Sequence, residues 1–224
     1  MDSNYGLGAV LAKYPKLKPL YKEADAGLTQ VTKLTHSLFS SHAPDLWMSD
    51  FVLFGTNSRT FALLSCVLRE IPYNNHYIMR MAIRAQIETI AKLYYFIERP
   101  EKIDSVLAHT GPPSEGTNVN VLTLVDRVDN FLHKQDASIT LRKDYDELSE
   151  LVHPNAKSYL AGVKITDAEK RKFIFSSGLH DLTENEVRQY LYSVRYLSKL
   201  TCFLLKTFGE VTNSLKHTRT QTEH

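Results

Sequence analysis

Apolar side chains recur along most of this chain at intervals of three and four residues, the spacing that gathers them on one face of an α-helix. Over 17–39 the stripe is Leu20, Tyr21, Ala24, Leu28, Val31, Leu34 and Leu38. A His-Ala-Pro break follows, and a second run over 46–71 carries Phe51, Phe54, Phe61, Leu64, Val67 and Leu68 up to Pro72. The third run, 73–98, sets Ile83, Ile87, Ile90, Tyr94 and Ile97 on one stripe and stops at Pro100. Proline disfavours helical geometry in the residue before it and is tolerated in a first turn, so these prolines read as boundaries and Pro100 opens a short helix.

The stretch "TGPPSEGTN" is the clearest loop in the chain. Two helices are predicted after it, over 119–133 and 140–153. The signals over 154–182 are mixed and predict irregular structure or short elements. A last long helix begins at Thr183, whose spacing to Glu186 matches a capping box. It runs through Val187, Leu191, Val194, Leu197, Leu200 and Leu204, and Gly209 is its expected stop. The segment 211–224 has almost no apolar content and is expected to be disordered. No strand-type alternation is sustained and no repeat is visible. The pattern therefore predicts an all-α bundle of five to seven helices, one domain over 1–210, with a helical extension over 1–42 before a core over 46–208.

Composition changes this picture little. With 224 residues, 43% hydrophobic and 23% charged, the chain is long enough for one sizeable core. A net charge of +2 at pH 7 gives no bulk attraction for nucleic acid, so any RNA must meet a local patch. Cys66 and Cys202 lie in separate apolar helical runs and read as two small buried thiols of a reduced protein. No basic segment followed by an apolar core opens the chain, and no run reaches about 18 uninterrupted apolar residues. A cytoplasmic protein with no membrane partner is the expectation.

Two polar spots interrupt the apolar helices. On the third run Arg80, Arg84 and Glu88 are spaced by four and form a ridge beside the core stripe. Arg84 and Glu88 are placed to pair, either as a surface ion pair or as part of a site. In "YDELSELVHPN" the stripe is Leu141, Tyr145, Leu148 and Val152, with Ser149 and His153 one turn apart on its flank. Pro154 puts His153 at the carbonyl end of that helix, where the macrodipole favours the imidazolium. His153 is then either a proton-transfer group titrating near neutral pH or a C-terminal cap. Glu150 and His153 have the Glu-x-x-His spacing of di-iron bundles, but no second copy of that motif exists. There is no Gly-rich phosphate loop, Cys-x-x-Cys or His-Glu-x-x-His, and no cofactor or metal is expected.

The pair "MRMAIRAQIETIAKLYYFIE" and "YDELSELVHPN" resembles a group of uncharacterised bacterial helical proteins that join an Arg-x-x-x-Glu helix to a Tyr-x-x-Leu-Ser-x-x-x-His-Pro helix. That group is similar to a divergent branch of the HEPN superfamily. Its members are all-helical domains that commonly dimerise, and many are metal-independent ribonucleases of toxin–antitoxin and phage-defence systems. The resemblance spans about 51–159 and implies RNA as substrate, a homodimer, and an antitoxin or defence-system partner. It assigns Arg84, Glu88 and His153 to catalysis, and Tyr145, Ser149 and Asn155 to substrate contact, to which the place of Arg80 on the same ridge adds a further candidate. HEPN ribonucleases place an arginine four to six residues before the histidine, where this chain has Glu147, Leu148 and Ser149. Arg84 is accordingly the arginine that would face a phosphorane-like transition state, with Glu88 holding it and Arg80 and Lys92 widening the positive patch. The alternative is a non-catalytic interaction or sensor module in which the same side chains form a buried network that fixes helix register.

Overall fold

The computed structural model describes residues 5–40, 46–108, 119–134, 140–152, 163–167, 172–175 and 181–222. Among them are α1 (Gly8–Lys13), α2 (Lys18–Ser40), α3 (Met48–Glu70), α4 (His76–Glu98), α5 (Ile103–Ala108), α6 (Val121–His133), α7 (Leu141–Val152) and α8 (Glu184–Thr222). The chain is all-α, as its periodicity predicts. The eighth helix beyond the five to seven expected is α1, whose six residues are too few to display a stripe. Short 3₁₀ turns at Pro15–Leu17, Ile71–Tyr73 and Pro100–Lys102 carry proline in their first or second position, where its missing N–H has no partner to lose. Within 154–182 lies a small antiparallel hairpin, β1 (Val163–Asp167) with β2 (Lys172–Phe175), pairing Val163 with Phe175 and Lys164 with Ile174. Strands of five and four residues are too short for alternation to announce them.

Helix α4 is the axis of the assembly, packing on α3, α8, α6 and α7. Its stripe residues Ile83, Ile87, Ile90 and Tyr94 are all buried. The most extensive helix pair is α2 with α8, so the predicted extension is built into the same apolar core as everything else. That core runs without a break from Leu7 to Phe208. Close approach of α2 and α8 depends on small residues. A Cβ on Gly27 would sit 3.0 Å from the Ser198 Cβ, and one on Gly209 would sit 2.8 Å from a Leu38 methyl. Gly209 is therefore a contact point rather than a stop. The helix continues past it to Thr222, with Thr212 only 3% exposed.

One polar group sits at the meeting point of three helices. The Gln86 amide, fully buried on α4, donates to Thr60 of α3 at 3.0 Å and to Thr201 of α8 at 3.1 Å. Its carbonyl oxygen is buried without a hydrogen-bond partner among the described residues. On α3 the predicted stripe is half right. Leu64, Val67 and Leu68 are buried, whereas Phe51 and Phe61 are 55% and 46% exposed. This helix and the turn after it, Met48–Tyr73, are long and apolar enough by composition to cross a membrane. Ten residues of α3 are nevertheless buried against its neighbours, and a core helix meets the same criterion.

Candidate functional site

Three of the residues singled out by the sequence meet between α4 and α7. Tyr145, on the inner stripe of α7, is 5% exposed and reaches the flank of α4. Its hydroxyl accepts a bond from the Arg84 guanidinium at 3.0 Å and donates to Glu88 Oε1 at 3.0 Å. Arg84 and Glu88 pair directly at 3.3 Å, one helical turn apart, and the guanidinium lies 5.1 Å from the centre of the Tyr145 ring. The three side chains thus close a triangle in which each touches the other two. Burial and the Glu88 carboxylate push the Tyr145 phenol above its ordinary range, although Arg84 opposes them. It stays neutral at physiological pH and serves as a bridge, not as a base.

The triangle sits at a part-open edge, with the Arg84 and Glu88 side chains 23% and 30% exposed. Two polar atoms there are shielded from water without a hydrogen-bond partner among the described residues: Arg84 Nε, and the Ser149 hydroxyl one turn beyond Tyr145. Ser149 is a boundary residue, as its position on the flank predicts. His153 and Asn155 lie outside the described residues. The expected meeting of Arg84 with an imidazole lies outside them too, and the partners that Arg84 meets are Glu88 and Tyr145.

Helix α7 is held in place from its first turn. Asp129 on α6 is 7% exposed, and its two carboxylate oxygens accept the backbone N–H groups of Leu141 and Arg142, each at 2.8 Å. An acidic side chain from another helix thereby caps the start of α7, at the end where the macrodipole favours negative charge. Arg142 adds a second tie, donating to both Asp126 oxygens and to Asp146 at 2.8 Å.

Arg80 does not join the triangle. It lines a groove of about 920 Å³ between α4, α7 and α8, together with Asp144, Glu147, Glu186, Tyr190 and Tyr196. Its guanidinium lies beside the Tyr190 phenol and lowers the proton affinity that burial raises, while Tyr190 also meets His76 Nδ1 at 3.0 Å. Lys92 is half-buried on the same helix, and burial lowers its affinity for a proton. The positive patch expected around Arg84 is thus dispersed. Arg84 is neutralised by Glu88, Arg80 faces an acidic groove, and the outward side of α7 carries Asp144, Asp146, Glu147 and Glu150.

No family model, curated protein or solved structure matches this chain. The site is accordingly argued from its own geometry. Among the described residues no group of three His, Cys, Asp or Glu side chains is arranged to hold a metal ion. Cys66 and Cys202 are free thiols. Burial pushes both above the ordinary range, with Glu70 adding to the effect at Cys66 and Lys206 opposing it at Cys202. The residues that sequence reasoning missed are those of the groove. A signal existed, since Glu186, Tyr190, Ser193 and Tyr196 recur every three to four positions beside the Val187–Leu191–Val194 stripe, and polar residues so placed read as ordinary solvent face.

Proposed function

We propose that this chain is a helical interaction or sensor module in which Arg84, Glu88 and Tyr145 form a structural network that docks α7 on α4. The observation that supports this reading is the closed triangle: the guanidinium has an internal carboxylate and an internal phenol as partners, and the phenol in turn satisfies the carboxylate. Such a network costs free energy when one member is removed, because the others are left partly desolvated and unpaired. A phosphate-clamping arginine would instead keep its charge uncompensated until substrate arrives. The acidic outer side of α7 also repels a polyanion approaching along that helix.

A second reading, an RNA-acting HEPN-like protein, draws support from one feature besides the motif resemblance. The Arg84 side chain is 23% exposed at that edge, enough for a phosphate oxygen to compete with Glu88 for the guanidinium. The two readings are separated by incubating the purified chain with total RNA in excess chelator, beside the Arg84→Ala, Tyr145→Phe and His153→Ala variants. The module reading expects no chelator-resistant cleavage and lowered melting temperatures for Arg84→Ala and Tyr145→Phe. Cleavage by the parent chain, lost in Arg84→Ala and His153→Ala with melting unchanged, would overturn it. A second copy of the chain is the first partner to assay, by light scattering of the same preparation.

A further inference from the structure

We infer that the outer face of α3 and the start of α4 docks on an anionic lipid surface, as a peripheral contact that leaves the fold intact. This goes beyond the module reading and rests on neither the triangle nor the groove. Six apolar side chains there, Leu46, Met48, Phe51, Tyr73, Tyr77 and Met81, are 39–70% exposed. Single exposed apolar residues are ordinary, whereas a set gathered on one side marks a protein or membrane contact.

Helix geometry gathers them. At about 100° per residue, Phe51, Gly55, Ser58, Ala62 and Arg69 fall within about 60° of one another, and all five are exposed. After the turn at Ile71–Tyr73, α4 runs back beside α3, with Arg59 bonded to Thr89 at 2.8 Å and Gln86 to Thr60 at 3.0 Å. That register sets Tyr77 and Met81, one turn apart, beside the C-terminal end of the α3 face. Within Met48–Tyr73, 44% of the most apolar 18-residue window is buried, so core packing accounts for less than half of it.

Charge selects the occupant. Arg59 and Arg69 are exposed on this face and make no ion pair among the described residues. The acids nearby are engaged. Asp50 is buried and accepts the Trp47 N–H at 2.8 Å, Glu70 accepts from the Asn75 amide at 2.9 Å, and Glu88 is held in the triangle. A second copy turned onto the same face would bring arginine towards arginine, with no exposed carboxylate to pair with either. Protein hot spots also gather near the centre of an interface. Here small residues hold the centre, a Cβ on Gly55 would meet nothing within 4 Å, and the large side chains stand towards the two ends. Anchors so separated suit a fluid layer, in which rings and thioethers enter between headgroups while the arginines meet lipid phosphates and carboxylates. The sequence predicts no membrane partner because no apolar run is uninterrupted, but a surface contact needs only one side of a helix.

Trp47, the only tryptophan of the chain, stands at the start of α3 and reports the contact. The full chain is mixed at low ionic strength with vesicles of phosphatidylserine and phosphatidylcholine, and separately with vesicles of phosphatidylcholine alone. Co-sedimentation with the mixed vesicles and a blue shift of Trp47 emission are expected, both weakened by added salt, with far less binding to phosphatidylcholine alone. Arg69→Gln should weaken partition about fivefold, the effect of one surface cation. The Phe51→Gln/Tyr77→Gln double variant should weaken it about tenfold. All three residues are exposed, so the variants should melt as the parent does. No sedimentation with the mixed vesicles, equal binding to both vesicle types, or equal partition of parent and variants would overturn the inference. So would a dimer in sedimentation velocity that the double variant abolishes, because a second copy would then occupy the face. RNA cleavage and the melting of the Arg84 and Tyr145 variants do not enter this readout, so its failure is distinct from failure of the module reading.

Discussion

Asp129 stands where α7 begins, and removing its carboxylate isolates the contribution of a cap supplied from another helix. In Asp129→Ala the N–H groups of Leu141 and Arg142 lose their acceptors, each now at 2.8 Å, and Leu141 is 1% exposed, so little water replaces them at that residue. A hydrogen bond to a charged group contributes about 1.5–3 kcal/mol, and the helix dipole adds a few tenths at a buried end. Allowing for the half-exposed Arg142, the total is about 3 kcal/mol. Unfolding entropy of about 2.1 cal/mol/K per residue over 224 residues then lowers the melting temperature by about 6 °C. Asp129→Asn keeps one acceptor and loses the charge, so about half that shift is expected. Thermal unfolding followed by circular dichroism reads the midpoints, and hydrogen exchange should show protection lost first at the amides of α7. Midpoints for both variants within about 1 °C of the parent would refute the reasoning, because they would mean that the amides find water or another acceptor without loss.

Tyr145→Phe removes the bridge between Arg84 and Glu88 but leaves their pair intact. The expected loss is about 1–2 kcal/mol, and a Tyr145→Phe/Glu88→Gln double-mutant cycle should show coupling rather than additivity. Gly27→Val drives side-chain atoms into Ser198, whose Cβ already stands 3.0 Å from the position of a first methyl. It should destabilise by about 1–3 kcal/mol in urea unfolding, partly restored by Ser198→Gly. Burial and the neighbouring Glu98 carboxylate push the Tyr94 phenol up to about 12. A group raised in the folded state contributes stability that is complete below its unfolded pKa and disappears as pH climbs through its folded value. Stability should therefore fall between about pH 10 and 12, by about 2 kcal/mol for this residue. Melting temperature against pH measures the fall, and Tyr94→Phe should flatten it.

Periodicity alone was enough for the helical class, the α4 stripe and the buried Leu141 and Tyr145 of α7, because a one-sided apolar face is a local property of the residues that compose it. The capping box at Thr183 was legible for the same reason: Thr183 N–H donates to Glu186 at 2.9 Å, and Glu186 N–H returns to the Thr183 hydroxyl at 3.3 Å. Gly209 was misread because a glycine after an apolar run is a helix stop only if nothing packs there, and what packs there is Leu38, which is 171 positions earlier in the chain. Phe51 and Phe61 were misread because α3 is apolar on more than one side. Of the site, the Arg84–Glu88 pair followed from spacing within one helix, whereas its closure by Tyr145 is a tertiary event. So is the cap at Asp129, which belongs to α6 and reads in sequence as an ordinary surface acid. The groove was invisible for a related reason, since its lining comes mainly from three helices that meet only in the folded chain.

The Gln86 amide has a consequence for how single-valued this architecture is. Leucine and isoleucine stripes tolerate sliding by one turn, because a shift of four residues sets apolar against apolar again. An amide hydrogen-bonded to a threonine on either side has one position along α3 and one along α8 where both hydroxyls are reached. Exchanging Thr60, Gln86 and Thr201 together for aliphatic residues would yield a chain as resistant to heat as the parent, or more so. It would also be free to settle into several alignments, with broadened amide spectra as the sign that three helices had lost their common index mark.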